Sequence, residues 1–261
     1  MHMRKWLFVS NNVLFRRVNS RISTLLLLLM MVGSTMMVGS TSAIASVIAE
    51  RTRVIFSEGS TEESLQLVNS NSYPVAVQVW VDDGDLMATP EKAISSVLVL
   101  PPLFRLQPQA QRSLRLILSG ANKLPVDRES AFWLNVYEIP PKSTTKVDDE
   151  SFVTLALRMQ YKVFYRPKSL PAPGETLGKA LTFTLARSGD SALIKVNNPT
   201  PYYASLASLK LGSAEALPDM VAPFSTLDFP LNHSPTAGSA TLNFVLIDDL
   251  GNSKALSSNL K

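Results

Sequence analysis

Apolar residues recur at every second position in several short runs along the chain. Val75, Val77, Val79 and Val81 alternate with Ala76, Gln78, Trp80 and Asp82, and Leu114, Leu116 and Leu118 alternate with Ser113, Arg115 and Ile117. The same period returns at Leu181, Phe183 and Leu185, and again at Leu242, Phe244 and Leu246. Side chains on a strand point to opposite faces in turn, so runs of this kind bounded by Gly, Pro, Asn and Asp predict strands of antiparallel sandwiches. No long window carries a helical period. The 17 prolines support the same reading. Pro74, Pro101, Pro102, Pro108, Pro140 and Pro141 fall at strand ends and connections, where a residue without an N–H is tolerated.

The first 45 residues read differently. Arg4, Lys5, Arg16, Arg17 and Arg21 precede an unbroken apolar run, Leu25 to Val32, which passes into small residues and Ala43-Ile44-Ala45. That order is the pattern of an export signal, with the mature chain expected to begin at Ser46. A stable membrane anchor is not expected, because the apolar run is far shorter than the roughly 20 residues that span a bilayer. Removing the leader changes the charge. The full chain has 25 basic and 21 acidic residues, and five of the basic ones lie in the leader with no acid, leaving 20 against 21, a net charge of −1. No global basic field remains to draw nucleic acid.

Composition also narrows the chemistry. There is no cysteine, and the two histidines are His2 in the leader and His233 in a loop-like stretch, so zinc and a Ser-His-Asp triad are not expected. The clusters Asp82-Asp83-Gly84-Asp85 and Asp148-Asp149-Glu150 lack the ligand spacing of a calcium loop and read as solvated turns. No metal, cofactor or enzymatic activity is expected.

The stretch Arg166 to Gly174, with three prolines and a glycine, is the best candidate connector. It divides the mature sequence into units of residues 46–166 and 167–261. Just before it, Val153, Leu155, Leu157, Met159 and Tyr161 alternate with Thr154, Ala156, Arg158, Gln160 and Lys162. Two readings stay open: a core strand, or an edge strand whose uncharged apolar row is offered to a partner. Natural edges are normally blunted with charge or proline, and this row carries neither. Arg53 and Lys162 interrupt strand-like sequence with a positive charge.

The run Leu124 to Pro141, LPVDRESAFWLNVYEIPP, resembles the signature of the periplasmic pilus chaperones of the PapD-like family. So do Arg51 to Phe56, Tyr73 to Trp80, Pro101 to Pro108 and Lys162 to Pro167, in the same order; Asn198 to Tyr203 and Asp248 to Asn252 are weaker matches. The resemblance implies an all-β protein of two immunoglobulin-like β-sandwich domains arranged as a boomerang. It implies no cofactor, and partners that are fimbrial subunits and an outer-membrane usher. By the same resemblance Arg53 and Lys162 anchor a subunit's C-terminal carboxylate, and the row Val153, Leu155 and Leu157, with Met159 adjacent, is the strand lent to the subunit. Pro74 faces the usher, and Pro101 and Pro102 close over the empty binding strand. Glu129, Arg166 and Asp249 form an interdomain ion network, with Asp248 the alternative to Asp249. The short connection from Pro140 to Ser151, without cysteine, resembles the short-loop class. Self-association through the free strand is left open.

Rival readings are the same fold serving a non-fimbrial surface polymer or a client without an usher, a pilus subunit, and a sugar-binding sandwich. A subunit would be one incomplete sandwich. A sugar-binding protein would cluster exposed aromatics.

Overall fold

The structure is a computed structural model and describes residues 46–57, 59–141, 155–188, 191–236, 238 and 241–261. The alternating runs are strands, and they build two β-sandwiches within the unit spanning residues 45–261. In the first sandwich, β1 (Val47–Ala49), β3 (Glu62–Asn69), β7 (Gln111–Leu118) and β5 (Val97–Leu100) form one sheet in the order β1-β3-β7-β5. The facing sheet has the order β2-β9-β8-β4-β6, from β2 (Arg53–Phe56), β9 (Leu157–Tyr165), β8 (Ser130–Ile139), β4 (Val75–Asp82) and β6 (Leu103–Leu106). The chain crosses from one sheet to the other at every connection from β1 to β8. The crossing from β5 to β6 passes through the cis Leu100–Pro101 bond.

The buried faces follow the period. Val75, Val77, Val79 and Val81 of β4, Leu114, Leu116 and Leu118 of β7, and Phe132, Leu134 and Val136 of β8 all lie in one core with Phe56 and Leu65. Each such side chain contributes about 1.5–3 kcal/mol on leaving water, which lets a cysteine-free domain hold together. Polar residues take the outer positions of β7, where Gln111, Arg112, Ser113 and Arg115 are exposed.

The second sandwich packs a three-stranded sheet, β10 (Thr182–Ser188), β11 (Ser191–Asn198) and β15 (Ser225–Pro230), against β13-β12-β16-β17, with β14 (Asp219–Val221) paired to β12. These last strands are β12 (Ala204–Leu211), β13 (Ala214–Ala216), β16 (Thr241–Ile247) and β17 (Ser253–Asn259). Phe183 and Phe244 meet across its core with ring centroids 4.8 Å apart. One short helix was not expected from the period, α1 (Thr176–Ala180), which buries Leu177 against this core just after the proline-rich connector. Five residues are too few to display a periodic face.

The cluster from Asp82 to Asp85 differs from its expected solvated turn. Asp82 is fully buried and accepts bonds from Asn135 Nδ2 (2.7 Å) and the Gly84 amide (2.9 Å). The Asp148 cluster, Val153 and most of the connection from Pro140 to Ser151 lie outside the described residues.

Candidate functional site: an open strand edge beside two unpaired cations

Strand β9 carries the site. On one side β8 pairs with all of it, from Glu138↔Leu157 to Ser130↔Tyr165. On the other, β2 runs parallel and pairs with the last four residues only, from Arg53↔Lys162 to Phe56↔Tyr165. Among the described strands, therefore, none pairs with the second edge of β9 from Leu157 to Tyr161, and backbone donors and acceptors there face outward.

The apolar row of β9 changes character along its length. Leu155, just ahead of the strand, is 71% exposed and Leu157 is 37% exposed, whereas Val163 is fully buried. Met159 and Tyr161 are partly buried and pack against the core of the first sandwich. Met159 is thus used by its own domain, and of the described residues only Leu155 and Leu157 stand free as side chains to offer. The other face of β9 is occupied by this protein's own polar contacts. Arg158 donates to Asn135 Oδ1 (2.8 Å) and to the Leu86 carbonyl (2.8 Å), meets Asp82 at 3.4 Å, and lies 4.8 Å above the Trp80 ring. Gln160 donates to the same Asn135 oxygen. One edge and one apolar end of the strand are left for a partner.

At the closed end of that edge the two cations meet. Arg53 and Lys162 are partners in the β2–β9 ladder. Arg53 Nη1 donates to the Ile247 carbonyl at 3.4 Å, and its Nε is buried with no hydrogen-bond partner among the described residues. Its guanidinium also lies 5.8 Å from the Phe164 ring centroid. Lys162 Nζ lies 3.4 Å from the Ser205 hydroxyl. Among the described residues neither side chain forms an ion pair. Burial holds the Arg53 guanidinium below its usual range, against the pull of Asp249 and Asp248. Burial, and then the charge of Arg53, holds Lys162 down in the same way. Two desolvated cations without a counter-ion favour an incoming anion. A cleft of about 900 Å³ opens beside Arg53, lined by Arg51, Arg166, Lys168 and Asp249 among others.

Arg166, by contrast, is fully paired. Its Nε donates to Glu129 Oε1 at 2.8 Å, and its Nη1 and Nη2 donate to the two Asp249 oxygens at 2.8 and 3.0 Å. Glu129 Oε2 accepts the Tyr203 amide at 2.8 Å, and the Glu129 amide donates to the Pro201 carbonyl at 2.9 Å. The group therefore ties the end of β9 and the start of β8 to two loops of the second sandwich. Burial works against the charge of Arg166, but its bonds to Asp249 and Glu129 outweigh it and raise the guanidinium above its ordinary value. Asp248 stays outside this group and caps its own turn, accepting the Leu250 (3.0 Å) and Asn252 (2.8 Å) amides.

The three prolines lie away from the cations. Pro74 precedes β4 at the sheet end where Ala76 pairs with Ile139, which is also the end where Leu157 begins β9. Pro101 and Pro102 do not close over β9 in this structure. They join β5 to β6, and the Pro102 carbonyl accepts the Val79 amide of β4, so β4 and β8 stand between them and β9.

Sequence reasoning assigned no role to Arg158, Asn135, Asp82 or Glu138. A signal existed for Glu138: it continues the core-facing row Phe132, Leu134, Val136 of β8, a position where a carboxylate is out of pattern.

Comparison with known proteins gives a consistent result. Residues 46–171 match the family "Pili and flagellar-assembly chaperone, PapD N-terminal domain", and residues 177–258 match "Pili assembly chaperone PapD, C-terminal domain". Chaperone protein FimB/FhaD of Bordetella pertussis is 36% identical over 217 residues, covering 80% of this chain and 86% of that protein. The crystal structure of the Pseudomonas aeruginosa CupB2 chaperone superposes with a TM-score of 0.68 at 32% identity, over 82% of this chain and all of that one. A structure of the Salmonella enterica SafA pilin in complex with the SafB chaperone gives the same TM-score at 28% identity, over 84% of this chain and 99% of that one.

Proposed function

Because this chain belongs to the PapD-like family of pilus-assembly chaperones, we propose that it binds fimbrial subunits in the periplasm by lending them strand β9, and delivers them to an outer-membrane usher. The subunit pairs its backbone with the open edge of Leu157–Tyr161, and Leu155 and Leu157 fill a groove in the subunit that lacks a strand of its own. Val153 continues the same row upstream. The subunit's terminal carboxylate binds Arg53 and Lys162. Charge-assisted bonds of this kind contribute roughly 1.5–3 kcal/mol each and fix the register of the pairing. Register has to be fixed, because a slip of one residue turns every side chain to the wrong face.

One observation carries this reading: a buried Arg53 and a half-buried Lys162, neither ion-paired among the described residues, lie at the closed end of an unpaired strand edge with an apolar end. Residues 1–45 act as the export signal, and residues 46–166 and 167–261 as the two domains. Glu129, Arg166 and Asp249 hold the domains in a fixed relation. Pro74 lies on the surface offered to the usher. Capture and transfer need no cofactor, since a subunit leaves when it exchanges β9 for a better-packed strand.

The test is periplasmic co-expression with fimbrial subunits, followed by affinity capture and mass spectrometry. The unaltered chain should retain a subunit, and folded Arg53→Glu and Lys162→Glu variants should lose it. Undiminished recovery by both variants would overturn the anchoring role.

A further inference from the structure

Glu138 is a buried carboxylate that the reading above leaves unused. It is 3% exposed and has three neutral donors: the Val47 amide (2.8 Å) and the Ser46 hydroxyl (3.0 Å) on Oε2, and Asn71 Nδ2 (2.8 Å) on Oε1. Among the described residues no basic side chain pairs with it. A buried carboxylate that lacks a counter-charge is costly, and β-sandwich cores rarely retain one. The same pocket holds an acceptor that lacks a donor among the described residues, Asn71 Oδ1, on a fully buried residue. Asn71 is itself fixed by Asn69, whose Nδ2 donates to the carbonyls of Tyr73, Leu106 and Gln107.

Beside this pocket lies Ser46, 9% exposed, whose amide donates to Ser70 Oγ at 3.0 Å. We infer that Glu138 is the seat of the α-ammonium produced when the chain is cut between Ala45 and Ser46. In that cut, water adds across the peptide bond. Ala45 leaves with a carboxylate, and the Ser46 nitrogen becomes an ammonium with three N–H groups. One of these keeps the bond to Ser70, while two new donors and a positive charge appear next to the oxygens that the residue's own hydroxyl and the following amide already touch. The missing counter-charge is thus supplied by processing, not by a side chain.

The location links the seat to the strand that is lent. Glu138 is the ladder partner of Leu157, and the Ser46 hydroxyl lies 3.9 Å from Met159 Sδ. Seating the ammonium pins the start of β1 beside the open edge of β9. A chain that keeps even one residue ahead of Ser46 has no ammonium at that place.

The inference rests on reading residues 1–45 as an export signal, and the test separates the two. Intact mass of the protein exported from its own leader should correspond to a chain starting at Ser46; a start at another position would overturn the seat and leave the export reading intact, and an uncut chain would overturn both. A double-mutant cycle then compares chains starting at Ser46 or at Ala45, each with Glu138 or Glu138→Gln, by thermal unfolding. Retaining Ala45 should lower the melting temperature by about 5 °C with Glu138 and by much less with Glu138→Gln. An equal drop in both backgrounds would overturn the seat and leave the export reading intact. The unaltered protein supplies a measurement that does not depend on the variant folding: the Ser46 α-amine should acylate at least about tenfold more slowly than that of an unstructured peptide, because burial and ion pairing withhold the free amine. Labelling at the peptide's rate would overturn the seat.

Discussion

Arg53 on β2 and Lys162 on β9 stand side by side as partners in a parallel ladder, and neither has a carboxylate partner among the described residues. Like charges partly withdrawn from water repel, so this arrangement is maintained against its own electrostatics. Arg166, one residue past the end of β9 and bonded through its amide to the Phe56 carbonyl, shows that the fold can pair a buried guanidinium fully where it has a structural use.

The first prediction concerns pH. Burial, with the charge of Arg53 added, holds Lys162 below the ordinary lysine range in the free protein. A docked carboxylate favours the ammonium, so the pKa of Lys162 is higher in the complex than in the free protein. Subunit affinity is then full below the free value and declines as pH rises through the bound value. Binding measured from neutral to alkaline pH should show this loss. Lys162→Arg should flatten the curve, since a guanidinium does not titrate there.

The lent row should separate into two classes. Leu155→Asp should leave urea stability within about 0.5 kcal/mol, because the side chain is mostly in water, yet should abolish subunit retention. Met159→Ala removes a side chain packed on the core and should cost about 1–2 kcal/mol of stability as well. Equal stability losses for the two would contradict the division of the strand.

Removing one member of the ion group should cost different amounts according to burial. Glu129→Ala leaves Arg166, 4% exposed, with one carboxylate fewer and should lose about 3–5 kcal/mol in chemical denaturation. Asp249, whose side chain is about a third exposed, should cost about 1 kcal/mol as Asp249→Ala.

Gly84 should not accept a side chain. Its φ is +101°, and an added Cβ would meet the Trp133 ring at 2.9 Å. Gly84→Ala should lower stability by about 1–3 kcal/mol. It should also disturb the loop whose Leu86 carbonyl holds Arg158, which hydrogen exchange at Arg158 and Gln160 would report.

Much of this architecture was legible in the chain because it rests on local rules. The period of two placed β4, β7, β10 and β16, since strand geometry alone assigns alternate residues to alternate faces. The short helix α1 was not legible, having too few residues to show a period. Nor was the burial of Asp82, since an acidic run near glycine looks the same whether its first carboxylate is solvated or bonded to an asparagine on the next strand.

The ordered motifs and the two-sandwich class were determined by sequence alone, because each depends on residues close together in the chain. Only the tertiary structure decided how the apolar row of β9 is divided. Leu155, Leu157, Met159 and Tyr161 read alike as letters, but the core reaches Met159 and Tyr161 and leaves Leu155 and Leu157 in solvent. Tertiary structure likewise chose Asp249 over Asp248 for Arg166, set Pro101 and Pro102 at the far edge of the sheet from β9, and gathered Ser46, Asn71 and Glu138 around one buried charge. Each of these depends on which distant segment is the neighbour, and burial and electrostatics act through space, where sequence spacing does not reach.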